Sequence, residues 1–597
     1  MTESTIPLAL YLFNRIKQLG IEHILGVPGD FNLQLLDFIY KVPELKWVGC
    51  CNELNAAYAA DGFGRIKGTG SIGNVSEPGP RLPGVLITTY GVGELSALNG
   101  VSGAFAETVP LLHIVGTTGR AIQEDHLLIH HVRPSVGLEP ADHTIYMETS
   151  KPFSCAHEFL LEPKKAAHQI DRVITEVIKN SRPGYLYIPA DMVHAKVPES
   201  LLHTPLDLSL KNSDVSLEDN IVDDILAAIY ASKSPIILAD IIAARFNLTD
   251  AIQELVETTQ FWSFTTPLGK GLIDETSPKF VGVYNGSLSL PGVAEAVHDS
   301  DLVINFGPLL SDSNTGGLSR EIKEENLIAL HPLYVSVKGK LYKDIQFVPV
   351  VKKLLQRLDK TKLPVAGPKP KVKPLEDPPT THISQEYLVK ALSKFVRPKD
   401  TVVVESGTFQ FAVPDADFKE NTSFITQIFY SSIGYALPAA LGAAIAARER
   451  NQGERIVLVE GDGSAQMTIQ ELGTMVRHKL PITIFLLNND GYSIERAIWG
   501  PEQKYNDICP GWNWTQLLSV FGGKEGETVA NYKVTSREEF ETLLSDKNFN
   551  ENTNKVQLVE VVLDAFDYPW LLKAQVQRMG PFNVKKGIEY AKKRNEI

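Results

Sequence analysis

Glu460-Gly461-Asp462-Gly463-Ser464 and Leu487-Asn488-Asn489-Asp490-Gly491 are two polar turns, each entered from an apolar run, Arg455-Ile-Val-Leu-Val-Glu460 and Ile482-Thr-Ile-Phe-Leu-Leu487. Between them, residues 465–480 have helical spacing, with Met467, Leu472, Met475 and Val476 toward one face. A strand–turn–helix–strand unit of this kind places Asp462 and Asn489 at the same sheet edge, about one strand apart. Ligands of parallel sheets bind beyond the carboxyl ends of the strands, which is where both turns fall. An Asp carboxylate, an Asn carbonyl and a main-chain carbonyl are hard oxygen ligands suited to a Mg²⁺ ion that also grips a diphosphate. The glycines let backbone N–H groups approach phosphate.

The same grammar recurs along the chain. Apolar strands are expected at 23–27, 84–89, 111–115 and 184–189, then at 235–240 and 301–306, and finally at 401–405 and 556–562. Short apolar runs alternating with helices imply an α/β fold of three doubly wound parallel-sheet domains, each sheet covered on both faces. Pro364, Pro368, Pro370, Pro374, Pro378 and Pro379 mark an extended connector, since repeated proline excludes helix. The expected division is 1–195, a central 196–360, a Pro-rich linker 361–380, and 381–597. Gly68-Thr-Gly70-Ser-Ile-Gly73 fits the dinucleotide spacing but follows a helical pattern and precedes three prolines, so it reads as a surface insertion.

Composition narrows the function. The 597 residues carry 58 basic and 71 acidic side chains, net −13, which disfavours nucleic acid as a partner. No apolar run of about 18 residues suggests a membrane span. The N-terminus lacks a secretory pattern, and four cysteines without ligand or disulfide spacing suggest a cytoplasmic protein.

The two turns together resemble the diphosphate-binding motif of thiamine-diphosphate enzymes. That cofactor needs a carboxyl group against its aminopyrimidine, in an apolar site where the carboxyl proton is shared with the ring. Glu53 fits, because it follows Trp47-Val-Gly-Cys-Cys51 and opens a helix. Over nearly its full length the chain resembles the pyruvate decarboxylases of the fungal thiamine-diphosphate 2-oxo acid decarboxylase family. The matching stretches include Gly26-Val-Pro-Gly-Asp30-Phe31-Asn32, Asn52-Glu53-Leu54-Asn55-Ala56, His130-His131, Gly407-Thr408, Ser432-Ile433-Gly434 and the run from Asn488 to Glu495.

The resemblance implies a pyrimidine-binding first domain, a central connector and a diphosphate-binding third domain, with the cofactor clamped between two domains from different chains. It implies that Asp462, Asn489 and the Gly491 carbonyl hold Mg²⁺, with Gly463 and Ser464 supporting the diphosphate. Ile433 would force the bent cofactor conformer, and the Ser431 carbonyl and Thr408 would orient the pyrimidine. Asp30, His130, His131 and Glu495 would surround the reacting carbon, Glu53 activating the cofactor. Pyruvate would yield acetaldehyde and CO₂ through a C2 carbanion and an enamine. Two imidazoles and two carboxyls can relay the protons this requires. A homo-oligomer is implied, at least a dimer and by resemblance a tetramer.

Substrate size is less constrained. Ile494 and Ile498 flank Glu495 and would narrow a pocket, while the effect of Gln410 does not follow from its type. Larger 2-oxo acids (phenylpyruvate, indolepyruvate, branched-chain) are the alternative. A carboligase, and a catalytically silent or filament-forming homologue, are the competing readings. Residues 132–140 are longer and poorer in glycine than the family's usual loop. Ile242 and Ala243 stand where some yeast relatives have cysteines, so thiol-based activation is not expected.

Overall fold

A computed structural model describes residues 4–67, 82–210, 214–376, 380–508, 511–551 and 554–594, without the side chains of 582–584, 587–588 and 590–591. The Gly68–Gly73 motif and Cys509 lie outside the described residues. The chain forms two compact units: 1–209 with 435–454 and 468–480, and 210–434 with 455–467 and 481–597.

The first unit is built on a six-stranded sheet. Its spatial order is Lys46–Gly49, His23–Gly26, Gly84–Thr89, Leu111–Thr117, Pro183–Pro189, Ala156–Phe159, and every neighbouring pair is parallel. Leu111–Thr117 and Pro183–Pro189 are buried along their whole length, which is why they read as unbroken apolar runs rather than alternations.

The helices Glu53–Lys67 and Ala436–Arg450 pack directly on one another in this unit. Their backbones nearly touch: a Cβ on Gly62 would lie 2.1 Å from the Ala439 carbonyl oxygen, and one on Gly442 would lie 1.8 Å from that of Ala59. Only glycine permits that approach. Beside the crossing, the Tyr435 hydroxyl donates to Asp61, which pairs with Arg65 at 2.5 Å, and Arg65 also pairs with Glu107 at 2.9 Å. All four side chains are buried, so the charges are compensated where water is excluded.

The second unit holds two sheets. The seven-stranded one runs in the order Phe280–Val283, Trp262–Thr265, Pro235–Ala239, Leu302–Phe306, Leu327–His331, Tyr334–Val337, Lys340–Lys343. Its first five strands are parallel, but the last two are antiparallel, so the expected all-parallel sheet is edged by a hairpin. That outer strand carries exposed Lys340 and Lys343, a charged edge that discourages further pairing. The six-stranded sheet is wholly parallel, in the order Ser423–Ile425, Thr401–Val404, Ile456–Gly461, Ile482–Asn488, Val556–Val562, Val529–Val534.

Residues 363–376 contain neither helix nor strand. The Trp262 indole N–H donates to the Gly367 carbonyl at 2.9 Å, and the Lys373 N–H to that of Pro291 at 2.9 Å, fixing this proline-rich stretch. Buried Lys270 pairs with Glu275 at 2.9 Å and donates to the Ala416 carbonyl, tying the two sheets of the unit. No helix among the described residues is long and apolar enough to cross a membrane.

Candidate active site

Register in the six-stranded sheet pairs Gly461 with Leu487, so Asp462 and Asn489 leave adjacent parallel strands at one end. Thr408, Ile433, Asp462, Gly463, Ser464, Asn489, Gly491 and Ile494 line one cleft there, together with Ser406, Tyr492 and Ser493. Asp462 is buried, and its carboxylate accepts the N–H groups of Gly463 at 2.8 Å and Gly491 at 3.1 Å. Burial outweighs those bonds and pushes its carboxyl up to about 7.

The inward terminal atom of the Asn489 amide lies 2.9 Å from the Gly491 carbonyl oxygen and 3.1 Å from Asp462 Oδ1. As nitrogen, that atom donates to both. As oxygen, it leaves three oxygens facing one point, an arrangement that only a cation stabilises. Octahedral ligands about 2.1 Å from Mg²⁺ sit about 3.0 Å from one another, which is the spacing found. The residues present therefore fit a magnesium ion with the Asn489 amide oxygen facing inward, the orientation in which it lies.

Behind the cleft lie two buried carboxyls that sequence reasoning did not single out as site residues. Glu405 Oε1 accepts the N–H groups of Ser406 at 2.8 Å and Gly434 at 3.1 Å, holding the turns that present Thr408 and Ile433. Glu460 is raised well above the usual carboxyl range by burial and by Glu405 beside it.

Other predicted residues stand apart from this lining. Ser431 has a left-handed φ of 52° and its hydroxyl donates to the Ile428 carbonyl at 2.6 Å. Gln410 is buried with Oε1 unpartnered. Glu495 and Ile498 lie on the short helix Ser493–Ile498, both exposed. The expected helix at 465–480 is two helices, Asp462–Thr468 and Glu471–Arg477. The helical repeat is interrupted at 469–470; Leu472 and Met475 are buried but Met467 is 47 % exposed.

In the first unit, the turn after strand His23–Gly26 carries Asp30. Buried Asn32 holds it by accepting the Gly29 N–H at 2.9 Å and donating to the Val27 carbonyl at 3.2 Å. Asp30 Oδ2 and His130 Nε2 share a hydrogen bond of 2.6 Å. The His130 and His131 ring centroids are 4.8 Å apart and edge-to-face. Two hydroxyls fix this pair: Tyr90 donates to the His130 carbonyl at 2.8 Å and Tyr146 to that of His131 at 2.7 Å. His131 is held at φ 70°, with Nδ1 buried and unpartnered. One ligand-type atom each from Asp30, His130 and His131 falls within 4.8 Å of the others.

Glu53 is the first residue of its helix, where negative charge is favoured. A Cβ on Gly93 would lie 3.0 Å from Glu53 Oε1, so the bare glycine makes room for the carboxylate. The turn before it is clamped by Glu471, a fully buried residue that sequence reasoning missed. Its Oε1 accepts the Cys51 N–H at 2.9 Å and the Asn55 amide at 3.0 Å. A charged residue among Leu472, Thr474 and Met475 on a buried helix face was the available signal.

Three family models match the chain: the N-terminal TPP binding domain of thiamine pyrophosphate enzymes at residues 7–135, their central domain at 222–358, and their C-terminal TPP binding domain at 405–561. Asp30, Glu53, His130 and His131 fall in the first, and Thr408 through Ile498 in the last. The chain is 42 % identical over 588 residues to pyruvate decarboxylase of Candida glabrata, covering 98 % of this chain and 100 % of that one. It is 41 % identical over 585 residues to pyruvate decarboxylase isozyme 1 of Saccharomyces cerevisiae, and 42 % over 587 to pyruvate decarboxylase of Kluyveromyces marxianus, with 98 % and 100 % coverage in each case. With all three domains matched in order and the relatives aligned from end to end, this chain belongs to the pyruvate decarboxylase family of thiamine pyrophosphate enzymes.

Proposed function

We propose that the protein converts pyruvate to acetaldehyde and CO₂ without oxidation, using thiamine diphosphate and Mg²⁺. The observation that carries the substrate is the near-complete alignment, at about 42 % identity, with curated pyruvate decarboxylases. The site geometry supports the chemistry.

When bound, thiamine diphosphate supplies the nucleophilic carbon that adds to the keto group and the electron sink that releases CO₂. Asp462, Asn489 and the Gly491 carbonyl would hold the magnesium ion, and Gly463 and Ser464 the diphosphate. Ile433 and Thr408 would shape the cleft against the cofactor, with the Ser431 carbonyl nearby. Glu53 would hold a proton against the pyrimidine.

Each aldehyde formed consumes one proton, because a carboxylate leaves as neutral CO₂ and its carbon must gain hydrogen. Asp30, His130 and His131 would supply it, and Glu495 is assigned to the same proton handling. A hydrogen-bonded carboxylate–imidazole pair can give a proton to one oxygen or carbon and retrieve it from another near neutral pH. Gln410, Ile494 and Ile498 are assigned to the substrate pocket, branched side chains favouring a small acyl group.

Self-association is part of this reading, at least to a dimer and by family to a tetramer. Leu128, Leu138, Trp499 and Tyr505 are exposed in the single chain, apolar side chains that association would cover. A cytoplasmic location is also included, supported by unpaired Cys50, Cys51 and Cys155. Domain limits near 195, 360 and 380 follow the spacing of the three sheets.

The test is a substrate panel with saturating thiamine diphosphate and Mg²⁺, measuring aldehyde and CO₂ together. Pyruvate should give both in equal amounts and faster than phenylpyruvate, indolepyruvate or a branched-chain 2-oxo acid. A condensation product in place of aldehyde, or faster turnover of a larger acid, would overturn the assignment.

A further inference from the structure

The helices Gln385–Phe395 and Arg537–Ser545 border a crevice of about 660 Å³ that the reaction does not use. Tyr387, Lys390, Ala391 and Lys394 recur at the three- and four-residue spacing of one helix face. Arg537, Glu541, Leu544 and Ser545 do the same on the other helix, and Arg397 and Asn550 also line the space. Four cationic side chains therefore share one crevice with a single carboxylate.

Among the described residues no carboxylate pairs with Lys394 or Arg397. Arg397 donates to the Asn550 carbonyl at 3.1 Å, and Arg455, itself paired with Asp400, donates to the same oxygen at 3.4 Å. Burial, and after it the neighbouring Arg455 charge, hold Arg397 below its ordinary value. Arg537 is fixed by a 2.8 Å bond to the His382 carbonyl and lies 4.5 Å over the Tyr387 ring. An ordered guanidinium fork is suited to phosphate oxygens. The chain as a whole carries −13, so long-range attraction does not account for polyanion binding here; the site must be local.

We propose that this crevice binds a small, multiply charged phosphate anion through Lys390, Lys394, Arg397 and Arg537. Tyr387 and Phe395 are only 7 % and 5 % exposed, leaving no ring for a base to stack on, so the ligand is phosphate-rich with little apolar body. Glu541 opposes the anion and sets an upper limit on affinity.

The test uses holoenzyme saturated with thiamine diphosphate at fixed free Mg²⁺, titrated calorimetrically with inorganic tripolyphosphate and with orthophosphate. One tripolyphosphate per chain should bind, more tightly than orthophosphate. The double variant Lys394→Ala/Arg397→Ala should weaken it at least tenfold with unchanged pyruvate turnover in its absence, and Glu541→Gln should tighten it. A control pair on the C-terminal helix, Lys592→Ala/Lys593→Ala, should change nothing. No binding to the saturated enzyme, displacement by thiamine diphosphate, or an equal loss in the control pair would overturn the proposal.

Discussion

Asp30 Oδ2 stands 2.6 Å from His130 Nε2, although a hundred residues separate them in the chain. The bond places a negative charge directly against an imidazole whose ring neighbour, 4.8 Å away, is a second imidazole. Asp30→Asn preserves size and one hydrogen-bond acceptor but removes the negative charge beside His130. Turnover should fall by roughly 10²-fold or more, the scale of general acid–base catalysis, while thiamine diphosphate affinity stays close to wild type. Steady-state rates and a fluorescence titration of the cofactor measure the two; equal turnover would remove Asp30 from the proton path.

The oxygen set of Asp462, Asn489 and Gly491 makes a second expectation. Its 2.9 and 3.1 Å separations suit Mg²⁺, and only Asp462 supplies a formal charge. Asp462→Ala should weaken Mg²⁺-dependent retention of thiamine diphosphate by about 100-fold or more, in line with loss of an ion-coordinating charge. Equilibrium dialysis with and without Mg²⁺ reads this independently of turnover, and metal-dependent retention in the variant would rule out the cradle.

How far such geometry could be read from sequence depended on whether its cause was local. Thr401–Val404, Ile456–Gly461 and Ile482–Asn488 announce themselves because strands buried on both faces are continuously apolar. Asp462 and Asn489 were legible because each follows such a strand directly. The hairpin Tyr334–Lys343 was missed because one short exposed edge strand carries lysines where an apolar run was sought. The grouping of 435–454 with the first unit depends on Gly62 and Gly442, nearly four hundred residues apart. Met467 was placed on the wrong face because nothing in the sequence marks the two-residue break at 469–470. The Asp30–His130 pairing came only through family resemblance, since no spacing rule links those positions.

Glu471 illustrates a contact that requires the fold to be seen. Its Oε1 accepts from both the Cys51 N–H and the Asn55 amide, on either side of Glu53. Glu471→Ala would leave the buried Asn55 amide without this acceptor, a loss of about 1–3 kcal/mol by general experience, and release the Cys51 N–H, loosening the turn that presents Glu53. Glu471→Gln retains an oxygen acceptor and should recover most of the melting temperature. The pH–rate profile should shift in the Ala variant and return in the Gln variant; a lower melting temperature with an unmoved profile would mean that Glu471 supports the fold alone.

At Gly442, two opposing effects can be weighed. In an exposed helix, Gly→Ala adds about 1 kcal/mol of stability. At this position the new Cβ would lie 1.8 Å from the Ala59 carbonyl oxygen, far inside contact distance, and the whole helix must shift. Overpacking of that kind costs about 1–3 kcal/mol or more, so Gly442→Ala should lower the unfolding midpoint rather than raise it. A thermal scan on wild type and variant decides the sign.

Asp415 provides the pH-dependent expectation. Its Oδ2 accepts the Trp570 indole N–H at 2.7 Å, but burial pushes the carboxyl up from 3.8 to about 6. Because the folded value is raised, the native state binds the proton more tightly than the unfolded chain. The favourable contribution is complete below about 3.8 and is lost as pH rises through about 6, leaving a buried charge at pH 7 and above. The shift of roughly two pH units corresponds to an upper value of about 3 kcal/mol. Asp415→Asn keeps an oxygen for Trp570 and cannot ionise, so it should raise the melting temperature at pH 7.5 and leave it nearly unchanged at about pH 3, below the unfolded value. An equal gain at both pH values would show that packing, not ionisation, sets the cost at this position.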